Sequence, residues 1–284
     1  MKEDEGQAPL VFFSHRLDRE KTPMPRGALD RFRLDGKTVL LTGASSGLGH
    51  HFAGTLAEAG ARVVLGARRQ ERIEARAEEI RTTGGEAIAL PLDVREAESI
   101  EAFFDAGEAA FGRIDVLINN AGIEAGVKTY TMVDEEDWDS VLDTNLKAPW
   151  LCSKTLTQRI VERGWDGASI VNIASITASR GTKGIFPYAV SKAGLVRATE
   201  VMALEGARYG IRVNAIAPGY FLSDVSRVLL EGPTSEAFRK RIPMRRFGDY
   251  PEFDGALLLL ASDASSYMTG SVVVVDGGHL CAEL

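Results

Sequence analysis

Lys37-Thr38-Val39-Leu40-Leu41-Thr42-Gly43-Ala44-Ser45-Ser46-Gly47-Leu48-Gly49 is an aliphatic run that breaks into a loop with three glycines. Residues 47–59 then carry a helical pattern that Gly60 closes. Where a strand passes into a helix through glycines, the turn is tight and a ligand can approach the backbone closely. The helix N-terminus adds free N–H groups and a positive dipole end. That combination suits a pyrophosphate. The spacing is G-x-x-x-G-x-G rather than the general G-x-G-x-x-G dinucleotide pattern, and a plain tight connection would also use glycine. The placement at the first strand–helix junction favours a phosphate cradle, with Gly43, Ser45, Ser46, Gly47, Leu48 and Gly49 as its contacts.

Outward from this loop the chain alternates short aliphatic runs with longer helical stretches. Strands are expected over 37–41, 62–65, 87–90, 114–118, 169–173, 212–216 and 272–275. Helices are expected over 47–59, on to 81, over 96–111, 135–163, 188–209 and 252–260. Continuous apolar strands are the mark of a sheet covered on both faces. Repeated strand–helix units imply a doubly wound, parallel, seven-stranded sheet with helices on both faces, an α/β Rossmann fold in one domain. Ligands of such sheets sit at the carboxyl ends of the strands, where the remaining motifs fall.

The second strand ends Gly66-Ala67-Arg68-Arg69. NAD sites usually place an acidic residue about 20 residues beyond the first strand, on the ribose 2′-hydroxyl. Here it is missing and two guanidiniums follow. An arginine forms charge-assisted bonds to a 2′-phosphate, so the expected cofactor is NADP(H), with Arg68 the first contact and NAD(H) as the alternative. The two arginines would also serve to cap the next helix. Asp93 and Val94 end the third strand, where a carboxylate accepts from an adenine amino group or caps the following helix. Asn119, Asn120, Ala121 and Gly122 end the fourth, suiting a backbone that locks the sheet and lies against a ribose.

Tyr188 and Lys192 are four apart on an expected helix and share a face. A free tyrosine titrates near pKa ~10; a neighbouring ammonium lowers that by about 1–3 units, which would make Tyr188 a working proton donor and acceptor. Ser175 follows the fifth strand, and Asn145 lies in the long preceding helix. With the 42–49 loop, Asn119 to Gly122, Asn145, Ser175, Tyr188, Lys192 and Pro218-Gly219 in order and spacing, the chain from Leu34 to about Gly278 resembles the single-domain short-chain dehydrogenase/reductase family. Its 3-oxoacyl-thioester reductases are among the members it resembles.

The resemblance implies a catalytic set of Asn145, Ser175, Tyr188 and Lys192. Tyr188 would be the general acid in carbonyl reduction and the base in alcohol oxidation. Lys192 would tune it and hold the nicotinamide ribose, Ser175 would bond the substrate oxygen, and Asn145 would hold a relay water. Pro218, Gly219, Phe221 and Ser223 would edge the nicotinamide. The pocket would be built from residues 176–180, 184–187 and 220–244, and Ile185, Phe186, Tyr220 and Phe221 make it partly apolar. Trp165-Asp166 stands where acyl-carrier-protein reductases tend to carry a basic residue, which weakens that substrate reading. The reaction implied is interconversion of a small-molecule carbonyl and a secondary alcohol. A non-catalytic dinucleotide sensor on the same fold and an NAD-preferring alcohol dehydrogenase are the alternatives.

The 284 residues are 45% hydrophobic with a formal charge of -7. That is ample for one core and gives no basic surface for nucleic acid. The acidic start, MKEDEGQAPLVFF, and apolar runs too short to span a bilayer argue against a secretory signal or a membrane partner. Two distant cysteines, Cys152 and Cys281, fit a reducing cytoplasm rather than a disulfide scaffold. Adjacent His50-His51 do not suggest a metal site, and none is expected. Residues 1–33, polar with Pro23 and Pro25, are expected to be an extension, flexible or packed on another subunit, and 34–284 the catalytic domain. The family implies a homotetramer or homodimer joined through the long helices 135–163 and 188–209.

Overall fold

A computed structural model describes residues 27–221 and 235–282. Seven parallel strands run in the order β3-β2-β1-β4-β5-β6-β7: β1 (Thr38–Thr42), β2 (Arg62–Ala67), β3 (Glu86–Pro91), β4 (Val116–Asn119), β5 (Ser169–Ile173), β6 (Arg212–Pro218) and β7 (Val272–Val275). The chain winds outward from β1 to β3, then crosses to β4 and winds the other way. The carboxyl ends of β1 and β4, which pair Val39 to Val116 and Leu41 to Ile118, therefore open a crevice at the switch point.

The helices are α1 (Gly47–Glu58), α2 (Gln70–Thr82), α3 (Ala97–Phe111), α4 (Glu135–Leu142), α5 (Ala148–Arg163), α6 (Phe186–Gly206), α7 (Ser235–Lys240) and α8 (Asp254–Ala261). Alternate strand residues sort into two cores. Val39, Leu41, Val63, Leu65, Val116 and Ile118 pack under α1, α2 and α8. Leu40, Val64, Leu117, Ile170 and Val213 pack under α3, α5 and α6. Burial on both faces explains the continuous apolar runs. At the sheet edges the expectation fails: β3 and β7 are only partly covered, and Val274 is exposed.

The expected helix over 135–163 is also corrected. It is α4 and α5 joined by a π-turn, Asp143–Lys147. Pro149 has no N–H to give the carbonyl of Asn145, four residues earlier, so the α-helical ladder is interrupted there. A single-turn π-bulge accommodates the missing bond. Pattern reading saw the helical period and not the interruption. Across the same helix Arg159, almost wholly buried, bonds to Glu101, Asp105 and Glu108 of α3 at 2.8, 2.7 and 2.9 Å.

Leu34, 1% exposed, is the first core residue among those described. The short turn Leu29–Phe32 before it buries nothing. No helix among the described residues is long and apolar enough to cross a membrane.

Candidate active site

The 42–49 loop is shaped by two glycines at positive φ, Gly43 at 70° and Gly47 at 56°. Gly49 closes it, because a Cβ there would stand 2.3 Å from the Gly43 carbonyl oxygen. Asn120 fastens the loop to β4: its Nδ2 donates to the Thr42 and Gly43 carbonyls at 3.0 and 3.1 Å. The Thr42 hydroxyl accepts from the Asn120 and Ala121 N–H groups, both at 3.0 Å. The Asn120 side chain is thus committed to the loop, leaving its backbone to face a ligand. Asn119 turns inward and joins Asn172 at 2.8 Å, which donates on to Thr199 at 2.9 Å.

Arg69, rather than Arg68, reaches the loop. Its guanidinium donates to the Ser45 hydroxyl at 2.8 Å and to that of Ser46 at 2.6 Å. Arg68 is exposed beside it, near enough for its charge to act on Asp93. Two guanidiniums, two hydroxyls and a helix N-terminus without a first-turn acid form a donor set that fits a phosphorylated dinucleotide. β2 ends at Ala67 with no carboxylate to repel a 2′-phosphate. Asp93 does not cap α3, whose N-cap is Glu96. Instead it binds Arg95 at 2.8 Å, and that bond holds its carboxyl below the usual range. Val94 is buried next to it.

The four residues of the expected catalytic set converge at the carboxyl ends of β4 and β5. The π-turn presents Asn145 to the strand-end loop: Oδ1 accepts from the Ile123 N–H at 2.8 Å and Nδ2 donates to the Ile123 carbonyl at 2.9 Å. Nδ2 also reaches the Ser191 hydroxyl at 3.2 Å. Lys192 is buried, and Nζ donates to the Ile173 carbonyl at 2.7 Å. An ammonium has three donors, so two remain for a ligand. A Cβ placed on Gly122 would lie 3.6 Å from that Nζ, leaving room for a ribose along the Gly122 backbone. Ser175 receives the Thr177 hydroxyl at 2.9 Å and is hydrogen-bonded to Tyr188.

The electrostatics correct one expectation. Burial pushes the Tyr188 phenol up to about 12; the Ser175 bond acts against this and the Glu124 charge adds to it. Desolvation pushes Lys192 down to about 8, partly opposed by Glu124. The ammonium lies 5.5 Å from the centre of the Tyr188 ring and points to a carbonyl, so it does not draw the phenol down. The folded chain therefore holds Tyr188 as a proton donor.

Pro218 and Gly219 end β6 opposite this centre; Gly219 packs so closely that a Cβ would meet Asp276 at 2.7 Å. The Phe221 ring is buried on Phe253, centroids 4.0 Å apart. Ser223 lies outside the described residues. Phe186 leaves the expected pocket, stacking outward on Trp138 and Tyr130 at 5.6 and 6.2 Å. Tyr220 remains, its ring 5.3 Å from His279. His50 and His51 face different partners, Glu79 and Asp254.

Sequence reading missed Arg69 as a loop contact and Glu124 altogether. Arg69 had a signal in the Arg-Arg pair. Glu124 had none, because a lone glutamate after a strand looks like any solvated loop residue.

The family model described as enoyl-(acyl carrier protein) reductase matches residues 43–279. The 5-keto-D-gluconate 5-reductase of Escherichia coli K12 is 37% identical over 254 residues, 89% of this chain and 99% of that protein. The D-threitol dehydrogenase of Mycolicibacterium smegmatis is 38% identical over 248 residues, 87% of this chain and 94% of that protein. A crystal structure of a gluconate 5-dehydrogenase from Burkholderia cenocepacia J2315, in complex with NADP and tartrate, superposes with a TM-score of 0.86 at 36% identity, covering 90% of this chain and 100% of that one.

Proposed function

The chain belongs to the short-chain dehydrogenase/reductase family, and from that premise we propose that Ser175, Tyr188, Lys192 and Asn145 carry out its chemistry. It is an NADP-linked oxidoreductase that interconverts a carbonyl and a secondary alcohol. The observation that carries the residue assignment is the convergence of Ser175, Tyr188 and Lys192 beside the Gly122 backbone at the switch-point crevice.

Gly43, Ser45, Ser46, Gly47, Leu48 and Gly49 would cradle the pyrophosphate, with Arg68 and Arg69 on the 2′-phosphate. Asp93 and Val94 would meet the adenine, and Asn120, Ala121 and Gly122 the ribose. Pro218, Gly219, the Phe221 backbone and Ser223 would border the nicotinamide. Bound there, NADP(H) supplies or accepts the hydride at the substrate carbon. In reduction, Tyr188 gives its hydroxyl proton to the substrate oxygen as that oxygen gains negative charge, and Ser175 donates a hydrogen bond to it. Lys192 holds the ribose hydroxyls and places positive charge beside the phenolate that Tyr188 becomes. Asn145 keeps the Ile123 backbone, and with it the ribose wall, in place. A phenol held protonated by burial favours the reductive direction.

NADPH and NADH run side by side on a ketone panel test this reading. Arg68→Ala and Arg69→Ala are each expected to raise KM for NADPH roughly tenfold or more, the usual worth of a charge-assisted bond, with little change for NADH. Turnover with NADH equal to or better than NADPH in the wild type would reject the 2′-phosphate role of both arginines.

The catalytic domain is 34–284, beginning at buried Leu34, with 1–33 as an extension, and the chain works in the cytoplasm as a homotetramer or homodimer. The supporting feature is a pair of exposed apolar stripes on the long helices. α5 exposes Trp150 and Val161; α6 exposes Val190, Val201 and Leu204, the last 81% exposed. Residues 150 and 161, like 190 and 201, are about three helical turns apart, and 204 is three beyond 201, so each set lies on one helix face, and such stripes mark interfaces. Sedimentation of Val201→Glu/Leu204→Glu should show at least a halving of the wild-type mass. A wild type that already sediments as a monomer at micromolar concentration would rule the assembly out.

A further inference from the structure

The turn Tyr250–Phe253, just ahead of α8, is strapped to α1. Asp254 accepts from the Thr55 hydroxyl at 2.8 Å and meets Nε2 of His51 at 2.7 Å. Phe253, fully buried, packs edge-on against Phe52 with centroids 6.0 Å apart. Glu252 closes the entry to the turn: it accepts the Asp249 N–H at 2.9 Å and two bonds from Arg246 at 2.5 and 2.6 Å. These ties set where the Tyr250 side chain goes. It runs along α1 toward the helix N-terminus. Its ring centre is 5.7 Å from that of His51, and its hydroxyl lies at Gly47, one turn earlier.

Gly47 is the first residue of α1, at a φ of 56°. A Cβ built on it would stand 3.7 Å from the Tyr250 hydroxyl oxygen. Beyond the adjoining residues and the helix's own backbone, no other atom of the described residues would come within 4 Å of it. The bare side of this glycine is therefore a gap with a phenol hydroxyl on its far wall. Gly47 and Tyr250 are both half-buried, so the gap is open to a ligand. The first N–H groups of α1, at Gly47, Leu48 and Gly49, lack acceptors within the helix. Arg69 stands at the other end of the loop, on Ser45 and Ser46.

We propose that Tyr250 is a cofactor-binding residue whose hydroxyl donates to a pyrophosphate oxygen of NADP(H) held against the Gly47 backbone. An anionic oxygen in this gap has backbone donors on one side and the phenol on the other, and a hydrogen bond to an anion is stronger than one between neutral groups. The missing side chain at Gly47 admits the phosphate, and the Tyr250 hydroxyl meets it. Labour is thereby divided along the cofactor. The arginines serve the 2′-phosphate, which only NADP(H) carries, and Tyr250 serves the pyrophosphate, which NAD(H) shares. This inference rests on the 42–49 loop being the pyrophosphate cradle.

The test is calorimetry of NADPH, NADH and adenosine 2′-monophosphate with wild type and Tyr250→Phe. The monophosphate keeps the adenine and the 2′-phosphate and has no pyrophosphate. Tyr250→Phe removes one oxygen and leaves the ring beside His51. It should raise Kd for NADPH and for NADH by the same factor, roughly tenfold, the usual worth of a hydrogen bond to a charged group. The Kd of adenosine 2′-monophosphate should stay where it is.

An unchanged NADPH Kd in Tyr250→Phe overturns the proposal. So does equal weakening of all three ligands, which marks a distorted loop rather than a lost bond. A loss for NADPH that NADH does not share overturns it too, because the bond would then belong to the 2′-phosphate. A wild type that binds NADPH no more tightly than adenosine 2′-monophosphate overturns the pyrophosphate cradle itself.

Discussion

Tyr188→Phe should lower kcat for ketone reduction roughly 10²–10⁴-fold, the span that general acid–base catalysis contributes, with NADPH affinity retained. The substitution deletes one oxygen from a ring already packed between Ser175 and Lys192, so the fold has no reason to change. What disappears is the proton that must reach the substrate oxygen. The wild-type pH profile carries a second part of the same result. With Tyr188 pushed up to about 12, its own ionisation puts no limb on reduction between pH 6 and 9. Lys192, pushed down to about 8, supplies the limb instead. A lysine's charge is present below its pKa and lost above it, so the rate should be level below pH 7 and fall as pH rises through about 8. Steady-state rates across that range, with fluorescence titration of NADPH on both proteins, check each part. A Tyr188→Phe protein retaining a tenth of wild-type kcat would remove Tyr188 from the proton path.

Gly49→Ala should abolish measurable NADPH binding and lower the melting temperature. Its Cβ would come within 2.3 Å of the Gly43 carbonyl oxygen, 2.5 Å of Asn120 Nδ2 and 2.9 Å of the Gly43 carbonyl carbon. None of these is the loose end of a side chain. Two are backbone, and the third is the amide that ties the loop to β4 through bonds of 3.0 and 3.1 Å. The cradle must open to admit the methyl. Overpacking of this kind costs about 1–3 kcal/mol, which for a domain of this class is a shift of roughly 2–10 °C. Gly255→Ala is the control: it lies in α8 with nothing within 4 Å of the new methyl, and alanine is the better helix former by roughly 0.5–1 kcal/mol. Scanning calorimetry should therefore move the two variants in opposite directions. Gly49→Ala binding NADPH like the wild type would show that the loop closes differently.

Most strands and helices were readable because their signals are local. An aliphatic run such as Ile170-Val171-Asn172-Ile173 reads as a buried strand wherever it lies, and a glycine loop before a helical period reads as a phosphate turn. The 135–163 stretch was legible only as a period. Its break depends on one absent N–H at Pro149 meeting one carbonyl at Asn145, which a periodicity average hides. That Arg69 bonds to Ser45 and Ser46 was not legible, because the contact joins residues 23 and 24 positions apart. The Phe186 ring turned outward to an aromatic neighbour far off in sequence.

By itself the sequence determined the parallel doubly wound sheet, the glycine loop and the missing ribose carboxylate, since period, glycine placement and residue type are properties of short segments; the Ser175, Tyr188 and Lys192 set was an expectation from the family resemblance. Only the tertiary structure decided the charge states. A pKa depends on how much water the whole fold removes and on which charges it brings near, so burial, rather than the four-residue spacing from Lys192, sets Tyr188. Ile123 and Lys128 are tied to Asn145 and Gly184, contacts that no local pattern encodes.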